Sequence, residues 1–410
     1  MTDSDADGTS AEALADRVLD GDLRLHELED HADADTAAEA RRILLSRETG
    51  ADLDAVGNYA FDAAEANSNI ENMVGAAQVP MGVVGPVPVN GGAASGTHYL
   101  PMATTEGALL ASVNRGCSAI RAAGGSTARV LKSKMTRAPV FRVADVAEAS
   151  EVVSWVRANE ETLRETAEST TSHGELRDVT PYVVGDNVFL RFGYDTKDAM
   201  GMNMATIATQ AACEVVAAET PAALVALSGN LCTDKKPAAI NAIEGRGRTV
   251  SADVLLSREQ VEERFKTTPE AIAEANTRKN HVGSAKAGAL GFNAQAANVV
   301  AAAFLALGQD PAQVVEGANT ITTADVRDGD LYASVTLASL EVGTVGGGTK
   351  LATQREALDV LGVRGGGDPP GTNADALAEV IAVGTLAGEL SLLGALAASH
   401  LASAHEELGR

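Results

Sequence analysis

Residues 182–192 have the sequence YVVGDNVFLRF, which contains two short runs of strand-forming residues, Tyr182–Val184 and Val188–Phe192. On the amino-terminal side, apolar residues recur with helical spacing across Ala147–Glu168. On the carboxy-terminal side, a second helix is predicted from about Asn203 to Ala218. The two strands therefore lie between two helices.

One further strand is predicted at each end of this segment, at Val140–Val143 and at Ala222–Leu227. The resulting order is strand, helix, strand, strand, helix, strand, which is typical of a ferredoxin-like unit. We place its bounds at 139–227. The sequence thus predicts an α+β protein with a compact unit inside a longer chain.

The flanking segments differ in texture from this unit. Residues 1–10 are predicted to be a disordered acidic tail, and the pattern from Ala11 to Ala66 is helical. Short β-like runs interrupted by Gly and Pro follow from Ile70 to Tyr99. The remaining predicted helices lie at Glu106–Ala123, at Gly288–Leu307 within an Ala- and Gly-rich region, and from about Asp375 to His400.

The chain is strongly acidic, with 56 Asp and Glu against 32 Lys and Arg, a net charge of −24 over 410 residues. Such a field repels nucleic acid and anionic membranes, so neither is an expected partner. The lysine-poor composition indicates adaptation to high salt, and an ordinary acidic cytosolic protein is the alternative.

Features of targeting and redox chemistry favour a soluble, cytoplasmic protein. The acidic amino terminus does not resemble a signal peptide, and no run of about 18 uninterrupted apolar residues is present. Three cysteines, Cys117, Cys213 and Cys232, occur without a CxxC pair, which fits a reducing compartment.

A pair of lysines is the most informative motif, in the stretch SGNLCTDKKPAAIN at 228–241. Lys235 and Lys236 lie beside Ala and Ile, where ammonium groups are poorly solvated but suited to bind an anion or polarise a carbonyl. The alternative is a surface turn in which Asp234 neutralises one lysine.

Two acidic residues and one histidine are candidates for proton transfer. Glu106 in PMATTEG (101–107) is either a general acid or a first-turn residue of a helix capped by Thr104 or Thr105. Asp310 by itself is an ordinary turn acid. His405 lies near the chain end, where a solvated side chain is the alternative. The scattered histidines form no HExxH motif, so no catalytic metal is predicted.

Two glycine-rich loops are candidates for binding phosphate. The loop DAMGMNM (198–204) precedes a predicted helix, whose first N–H groups are suited to a phosphate. The loop EVGTVGGGT (341–349) is a second such candidate. Neither matches GxGxxG, so a Rossmann site is not indicated, and flexible turns are the alternative.

Taken together, these segments resemble the 3-hydroxy-3-methylglutaryl-CoA (HMG-CoA) reductase family. The similar motifs occur in the family's order over nearly the whole chain beyond residue 58. They are Glu71-Asn72, MATTEG (102–107), NRGC (114–117), MTRAP (135–139), DAMGMNM (198–204), SGNLCTDKKPAAIN (228–241), GQD (308–310), EVGTVGGGT (341–349) and GELSLLGALAASH (388–400).

The resemblance implies reduction of HMG-CoA to mevalonate and free CoA with two NADPH. In this reaction Lys235 would stabilise the oxyanion, Glu106 would donate a proton, Asp310 would link the two, and His405 would protonate the CoA thiolate. The implied substrate-binding residues are Arg137, Ser228, Asn230, Asp234 and Lys236, and the implied NADP(H)-binding residues are Met200, Gly201, Met202, Asn203, Gly346, Gly347 and Gly348.

The resemblance also implies the domain arrangement. It consists of a tail and helical cap (1–66), a large catalytic domain around a central helix (67–138 and 228–410), and an inserted ferredoxin-like NADP(H)-binding domain (139–227). The family's active sites lie between subunits, so a homodimer, alone or paired into a tetramer, is expected.

One departure from the family pattern concerns the cofactor. Eukaryotic members have Ser-Arg-Phe where this chain has Thr171-Ser172-His173, and the absent arginine would be a bidentate phosphate partner. His173 and Arg177 are the candidate replacements. Two alternatives therefore stay open, namely NAD-dependent oxidative catabolism of mevalonate on the same fold, and a catalytically silent CoA-thioester-binding protein.

Overall fold

The computed structural model describes the backbone of residues 10–408 and the side chains of residues 10–399. The predicted acidic tail therefore lies, except for Ser10, outside the described residues. The side chain of His405 also lies outside them.

The amino-terminal region is helical, as predicted. Helix α2 begins where the Asp33 carboxylate accepts the Thr36 amide, and it ends at Gly50, which has a left-handed conformation (φ 73°). The elements are α1 (Ala11–Leu19), a 3-10 helix (Leu25–Asp30), α2 (Ala34–Thr49), α3 (Asp54–Gly57) and α4 (Ala63–Ala66).

The next elements are β1 (Met81–Asn90), β2 (Ser95–Ala103), α5 (Leu109–Ala122) and β3 (Ser126–Arg137). Helix α5 begins three residues later than predicted. Thr104 does not cap it; the Thr104 hydroxyl accepts the Glu106 amide, and Ala108, with φ 66°, directly precedes the helix. Glu106 therefore lies in a turn between β2 and α5.

The segment that follows builds a small antiparallel sheet with the order β5–β6–β4–β7. The predicted helix 147–168 is two helices, because Asn159 leaves the helical conformation between them. The elements are β4 (Val140–Arg142), α6 (Val146–Ala158), α7 (Glu160–Glu168), β5 (Glu175–Val184), β6 (Asn187–Asp195), α8 (Met202–Glu219) and β7 (Ala223–Ala226).

The last part of the chain contributes three long strands and the central helix. The predicted helix 288–307 forms only over its second half. The elements are α9 (Ala239–Glu244), β8 (Gly247–Leu256), α10 (Arg258–Phe265), α11 (Pro269–Ala275), a π helix (Asn276–Gly283), α12 (Ser284–Ala287), α13 (Ala296–Ala306), a 3-10 helix (Pro311–Gln313), α14 (Val314–Gly317), β9 (Thr320–Arg327), β10 (Asp330–Leu340), a 3-10 helix (Gly347–Lys350), α15 (Ala352–Leu361) and α16 (Thr372–Leu408).

Strand β3 joins two groups of strands. Its first part, Thr127–Lys134, pairs with β8, which in turn pairs with β10 and β9, whereas its last residues, Met135–Arg137, pair with β6. All of these pairs are antiparallel, and β1 adds a short parallel pair with β3. The fold is thus α+β with a mixed, mainly antiparallel sheet.

Two cores correspond to the two parts of the sheet. The larger core packs α5, α13 and α16 against β8 and β10. The smaller core is built from residues in the segment from Met135 to Ala222. Among the described residues, Thr372–Ser399 of α16 is long and apolar enough to cross a membrane, but 83% of its most apolar window is buried in the protein. We therefore assign α16 as the central core helix.

Candidate active site

The lysine-rich loop follows β7 and has a strained backbone. Asn230, Thr233 and Lys235 all have positive φ values, of 62°, 50° and 57°. A non-glycine residue in this region costs about 1–2 kcal/mol, so its neighbours must hold it there. Buried Asn241 helps, because its amide donates to the carbonyls of Cys232 and Thr233.

The strained loop places Lys235 against Asp310. The Lys235 Nζ lies 2.7 Å from the Asp310 Oδ2, and both side chains are partly exposed. The hydrogen bond to Asp310 raises the pKa of Lys235, so the ammonium form is favoured. Asp310 is held in turn, because its Oδ1 accepts the Ala312 amide. This pair brings together two of the four predicted catalytic residues.

A buried charged cluster lies beneath the lysine, and the sequence analysis missed it. Arg246 is fully buried and contacts the carboxylates of Asp234 (3.0 Å), Glu316 (3.4 Å) and Glu341 (3.1 Å). Gln313 bridges the cluster, accepting from Arg246 and donating to Asp234. We name these five residues the Arg246 cluster.

Two carboxyls of this cluster are unusually hard to ionise. Burial raises the pKa of Glu316 to about 7, against the attraction of Arg246. Burial also raises the pKa of Glu341, and the nearby charge of Glu316 adds to the effect. The sequence analysis assigned no role to Glu341 and did not identify Arg246 as a functional residue. The one signal available was the placement of Arg246 between two glycines, Gly245 and Gly247.

The two predicted phosphate-binding loops line one cavity of about 670 Å³, a volume typical of a small-molecule site. Asp310 also lines the cavity, which therefore adjoins the Lys235–Asp310 pair. The cavity is bounded by Asn69, Ala199, Met200, Gly201, Met202, Asn203, Met204, Leu305, Gly308, Gln309, Asp310, Pro311, Gly343, Val345, Gly346, Gly347, Gly348, Thr349, Leu351 and Gln354.

Glycines in and beside these loops permit close backbone contact. A Cβ on Gly343 would lie 2.4 Å from the Met200 nitrogen, and one on Gly308 would lie 2.5 Å from the Gly348 oxygen. Gly201, with φ 90°, begins α8 without a side-chain cap. The first residues of this 18-residue helix, Met202, Asn203 and Met204, line the cavity, and the unpaired amides of a helix start are suited to an anion.

Asp198 fixes the first of these loops to the central helix. Its carboxylate accepts the amides of Gly367 and Gly371, which precede α16, and of Ala374 in its first turn, at 2.7–3.1 Å. Its carbonyl accepts the Thr344 amide of the second loop. Both loops are thereby held in one arrangement around the cavity.

Glu106 lies on the surface of the protein. Its side chain is exposed, and its described partner is the Asn298 amide at 3.3 Å. No described contact joins Glu106 to Lys235 or Asp310. His405 cannot be placed, because its side chain lies outside the described residues.

Four of the five predicted substrate residues, Ser228, Asn230, Asp234 and Lys236, lie in the lysine loop itself. Ser228 contacts buried Cys232 (3.7 Å), Lys236 donates to the Asp234 carbonyl, and Asn230 is exposed. Arg137 ends β3, and its buried Nε has no hydrogen-bond partner among the described residues.

The departure at 171–173 forms a turn next to the first loop. The Thr171 hydroxyl accepts the amides of His173 and Gly174, and a Cβ on Gly174 would meet the Met204 sulfur. Ser172 and His173 are exposed. Arg177 is already engaged by Asp195 and Glu175, so His173 is the freer candidate for a phosphate.

This geometry supports chemistry on a carbonyl next to a bound anion. A charged ammonium held by a carboxylate can stabilise a developing oxyanion. Within the described residues no group of three or more His, Cys, Asp or Glu could hold a metal ion.

Comparisons with known proteins give one consistent result. The family model described as hydroxymethylglutaryl-coenzyme A reductase matches residues 37–410. The chain is similar to 3-hydroxy-3-methylglutaryl-coenzyme A reductases of Haloferax volcanii (76% identity; 98% of this chain and 100% of the relative) and Pyrococcus abyssi (54%; 98% and 100%). It is also similar to reductase 1 of Dictyostelium discoideum (42%; 98% and 74%).

Solved structures share the fold. A class II HMG-CoA reductase of Streptococcus pneumoniae, bound to NADPH in open conformations, matches with a TM-score of 0.66 at 20% identity, covering 91% of this chain and 100% of that one. The motifs, the fold and the relatives agree, and the chain belongs to the hydroxymethylglutaryl-coenzyme A reductase family.

Proposed function

We propose how this chain carries out the reaction of its family, the reduction of (S)-HMG-CoA to mevalonate and free CoA. The observation that carries the proposal is the Lys235–Asp310 pair at the edge of the cavity formed by the two glycine-rich loops. The oxidative NAD-dependent direction and the catalytically silent protein are not favoured at this level of similarity.

The lysine is the electrophilic group of the mechanism. Lys235 Nζ would donate to the thioester carbonyl oxygen and stabilise the negative charge that develops there, a contribution of several kcal/mol in a preorganised site. Asp310 keeps the amine protonated and oriented, as the raised pKa of Lys235 indicates. Arg137, Ser228, Asn230, Asp234 and Lys236 would hold the substrate around it.

Two further groups would move protons. Glu106 would donate a proton to the reduced carbonyl, and His405 would protonate the departing CoA thiolate, which a group with the ordinary histidine pKa near 6.5 is suited to do. Because Glu106 has no described contact with Lys235, we propose that Glu106 completes the site from the other subunit of a homodimer.

The cavity fits a dinucleotide cofactor. Its volume, its uncapped helix start and its exposed loop glycines, Gly346 and Gly347, suit a phosphate-bearing ligand. Bound NADPH supplies the hydride, twice per turnover. The proposed contacts are Met200, Gly201, Met202, Asn203, Gly346, Gly347 and Gly348, with Thr171, Ser172 and His173 near the 2′-phosphate.

We also propose the domain division and the location of the enzyme. The strand order β5–β6–β4–β7 with α6, α7 and α8 supports a ferredoxin-like NADP(H)-binding insert at 139–227. Residues 67–138 and 228–410 would form the large domain, and residues 11–66 the helical cap. The burial of α16 supports a soluble enzyme, and we place it in the cytoplasm.

An assay of cofactor use and CoA release tests this proposal. In a high-salt buffer with HMG-CoA, we expect rapid oxidation of NADPH, two molecules per CoA released, and slower oxidation of NADH. Lys235→Ala should lower kcat about 100- to 1000-fold, the usual effect of removing an oxyanion donor. Lys132→Ala removes a lysine of similar exposure that pairs with Glu244, and it serves as the matched control.

The outcomes separate the alternatives. A preference for NADH would show that the Thr171-Ser172-His173 turn has changed the cofactor and would favour the catabolic alternative. Full turnover of Lys235→Ala would contradict the assigned role of Lys235.

A further inference from the structure

A buried carboxylate holds the main chain of the catalytic lysine. The Lys235 amide donates to the Glu316 Oε1 at 2.6 Å, a short and charge-assisted hydrogen bond. Glu316 lies on α14, 81 residues further along the chain, and its side chain is fully buried. This contact fixes the residue that carries Nζ, and it differs from the Asp310 contact, which holds Nζ itself.

The strain of the loop gives this contact its importance. Lys235 has φ 57°, a conformation that a lysine adopts only where the surroundings impose it. In this conformation the Lys235 amide meets the buried Glu316 carboxylate. Without that acceptor, the loop would relax toward negative φ and move Nζ away from Asp310.

Glu316 is itself held by groups from several elements. Arg246, just before β8, donates to the Glu316 Oε1. The same guanidinium nitrogen also donates to Glu341, just after β10. Asp234 of the lysine loop contacts Arg246 from the other side, and Met202 of α8 contacts the same nitrogen as Asp234.

We propose that Glu316 is a positioning residue for Lys235. The other residues of the Arg246 cluster hold the Glu316 carboxylate in contact with the Lys235 amide. This inference rests on the role proposed for Lys235. It assigns no contact between Glu316 and the substrate.

The position predicts a pH dependence with a definite sign. The ionised carboxylate is the stronger acceptor, and the pKa of Glu316 is raised to about 7 by burial. Acidification through this range neutralises Glu316, so kcat should fall on the acid side. Asp234, Lys235, Arg246 and Glu341 are the charged groups that face it, with Asp310 one contact further away on Nζ.

Glu316→Gln tests the proposal. We expect kcat at about pH 8 to fall about tenfold, because the neutral amide oxygen of Gln still accepts the Lys235 amide but lacks the charge that makes this hydrogen bond strong. KM for HMG-CoA should change less than about threefold, because the substrate contacts remain. The acid-side fall of kcat near pH 7 should disappear. A kcat within about twofold of wild type between about pH 6 and pH 9 would overturn the proposal.

Two further variants make the result specific. Glu379→Gln alters an equally buried carboxylate that accepts the amides of Gly92, Ala93 and Ala94, remote from the lysine loop, and it should keep kcat and its pH profile. Glu316→Asp keeps the charge beside Arg246 but shortens the reach to the Lys235 amide. It should also lose about tenfold in kcat, and full activity would refute the positioning role even if Glu316→Gln fails to fold.

Lys235→Ala, measured in parallel, separates this inference from the proposed function. If Lys235→Ala is inactive and Glu316→Gln is as active as wild type, only the positioning role fails. If Lys235→Ala is fully active, the proposed role of Lys235 fails first.

Discussion

Arg246 balances more buried negative charge than one guanidinium can neutralise. Three carboxyls contact it, and the Oε2 atoms of Glu316 and Glu341 have no hydrogen-bond partner among the described residues. Burying a second ionised carboxylate costs several kcal/mol, so the cluster is stable only when one of Glu316 and Glu341 carries a proton. This explains why both pKa values are raised.

A stability change with pH follows from the same residues. Glu316 has a usual pKa of 4.5 and a folded pKa of about 7. Between these values the folded chain binds a proton that the unfolded chain has released, so the contribution of Glu316 to stability is largest below about pH 4.5 and is lost as pH rises through 7. Thermal melts from about pH 5 to pH 8 in constant salt measure this loss.

The control for this effect is the neutral variant. Glu316→Gln has no carboxyl to titrate, so its melting temperature should fall less between about pH 5 and pH 8 than that of wild type. Parallel curves for the two proteins would show that Glu316 does not titrate in this range.

At the scale of elements, the contact between α5 and α16 depends on one glycine. A Cβ on Gly116 would lie 1.9 Å from the Ala387 carbonyl oxygen, so the two helix backbones touch here. Gly116→Ala should push the helices apart and lower the free energy of unfolding by about 3 kcal/mol, the cost of overpacking. Denaturant unfolding measures this loss.

A helical glycine with free space provides the comparison. A Cβ on Gly283 would lie 3.5 Å from its nearest atom, the Arg278 carbonyl oxygen, which is an ordinary contact. Gly283→Ala should leave stability unchanged or raise it by up to about 1 kcal/mol. Equal stability of Gly116→Ala and wild type would mean that the helices can separate without loss.

Most of the longer helices and the strands of the small sheet were predicted, whereas the long strands β3, β8, β9 and β10 were not. Hydrophobic spacing identified the helices and the strands of the small sheet, because each buries one face. It could not reveal the break at Asn159 or the late start of α5 after Ala108, since both depend on the conformation of single residues. Strand β5 extends well before the predicted run at Tyr182, because pairing with β6 holds polar residues in the sheet.

The residues of the motifs could be identified from the sequence, but the residues that contact them from distant segments could not. The motifs contain Lys235, Asp310 and the two glycine-rich loops, and the structure places Asp310, the partner of Lys235, in the cavity that both loops line. Arg246 and Glu316 were missed, because their importance comes from burial and from contacts between distant segments. Neither property can be seen in local spacing.

The whole molecule carries a net charge of −24, and this predicts salt-dependent stability. Molar salt shortens the Debye length to about 3 Å and screens the repulsion between surface carboxylates. The melting temperature should therefore rise from dilute buffer to about 2 M KCl, and the similarity to the Haloferax volcanii protein supports this expectation.

Sucrose is a suitable control, because it stabilises compact states without screening charge. A larger rise in KCl than in isotonic sucrose is expected. Unfolding on addition of KCl, with stability in dilute buffer, would contradict adaptation to high salt.

The shared strand β3 also constrains the order in which the chain can fold. Strand β3 ends at Arg137, but its partner β8 begins only at Gly247. On the ribosome, the strands and helices between them emerge first and can complete the smaller core, while β3 still lacks a neighbour along most of its length. The larger core closes afterwards by a long-range pairing, which is intrinsically slow. The lysine loop lies in the chain between β7 and β8, and Asp310 follows β8, so the Lys235–Asp310 pair can form only after the chain beyond β8 has been made.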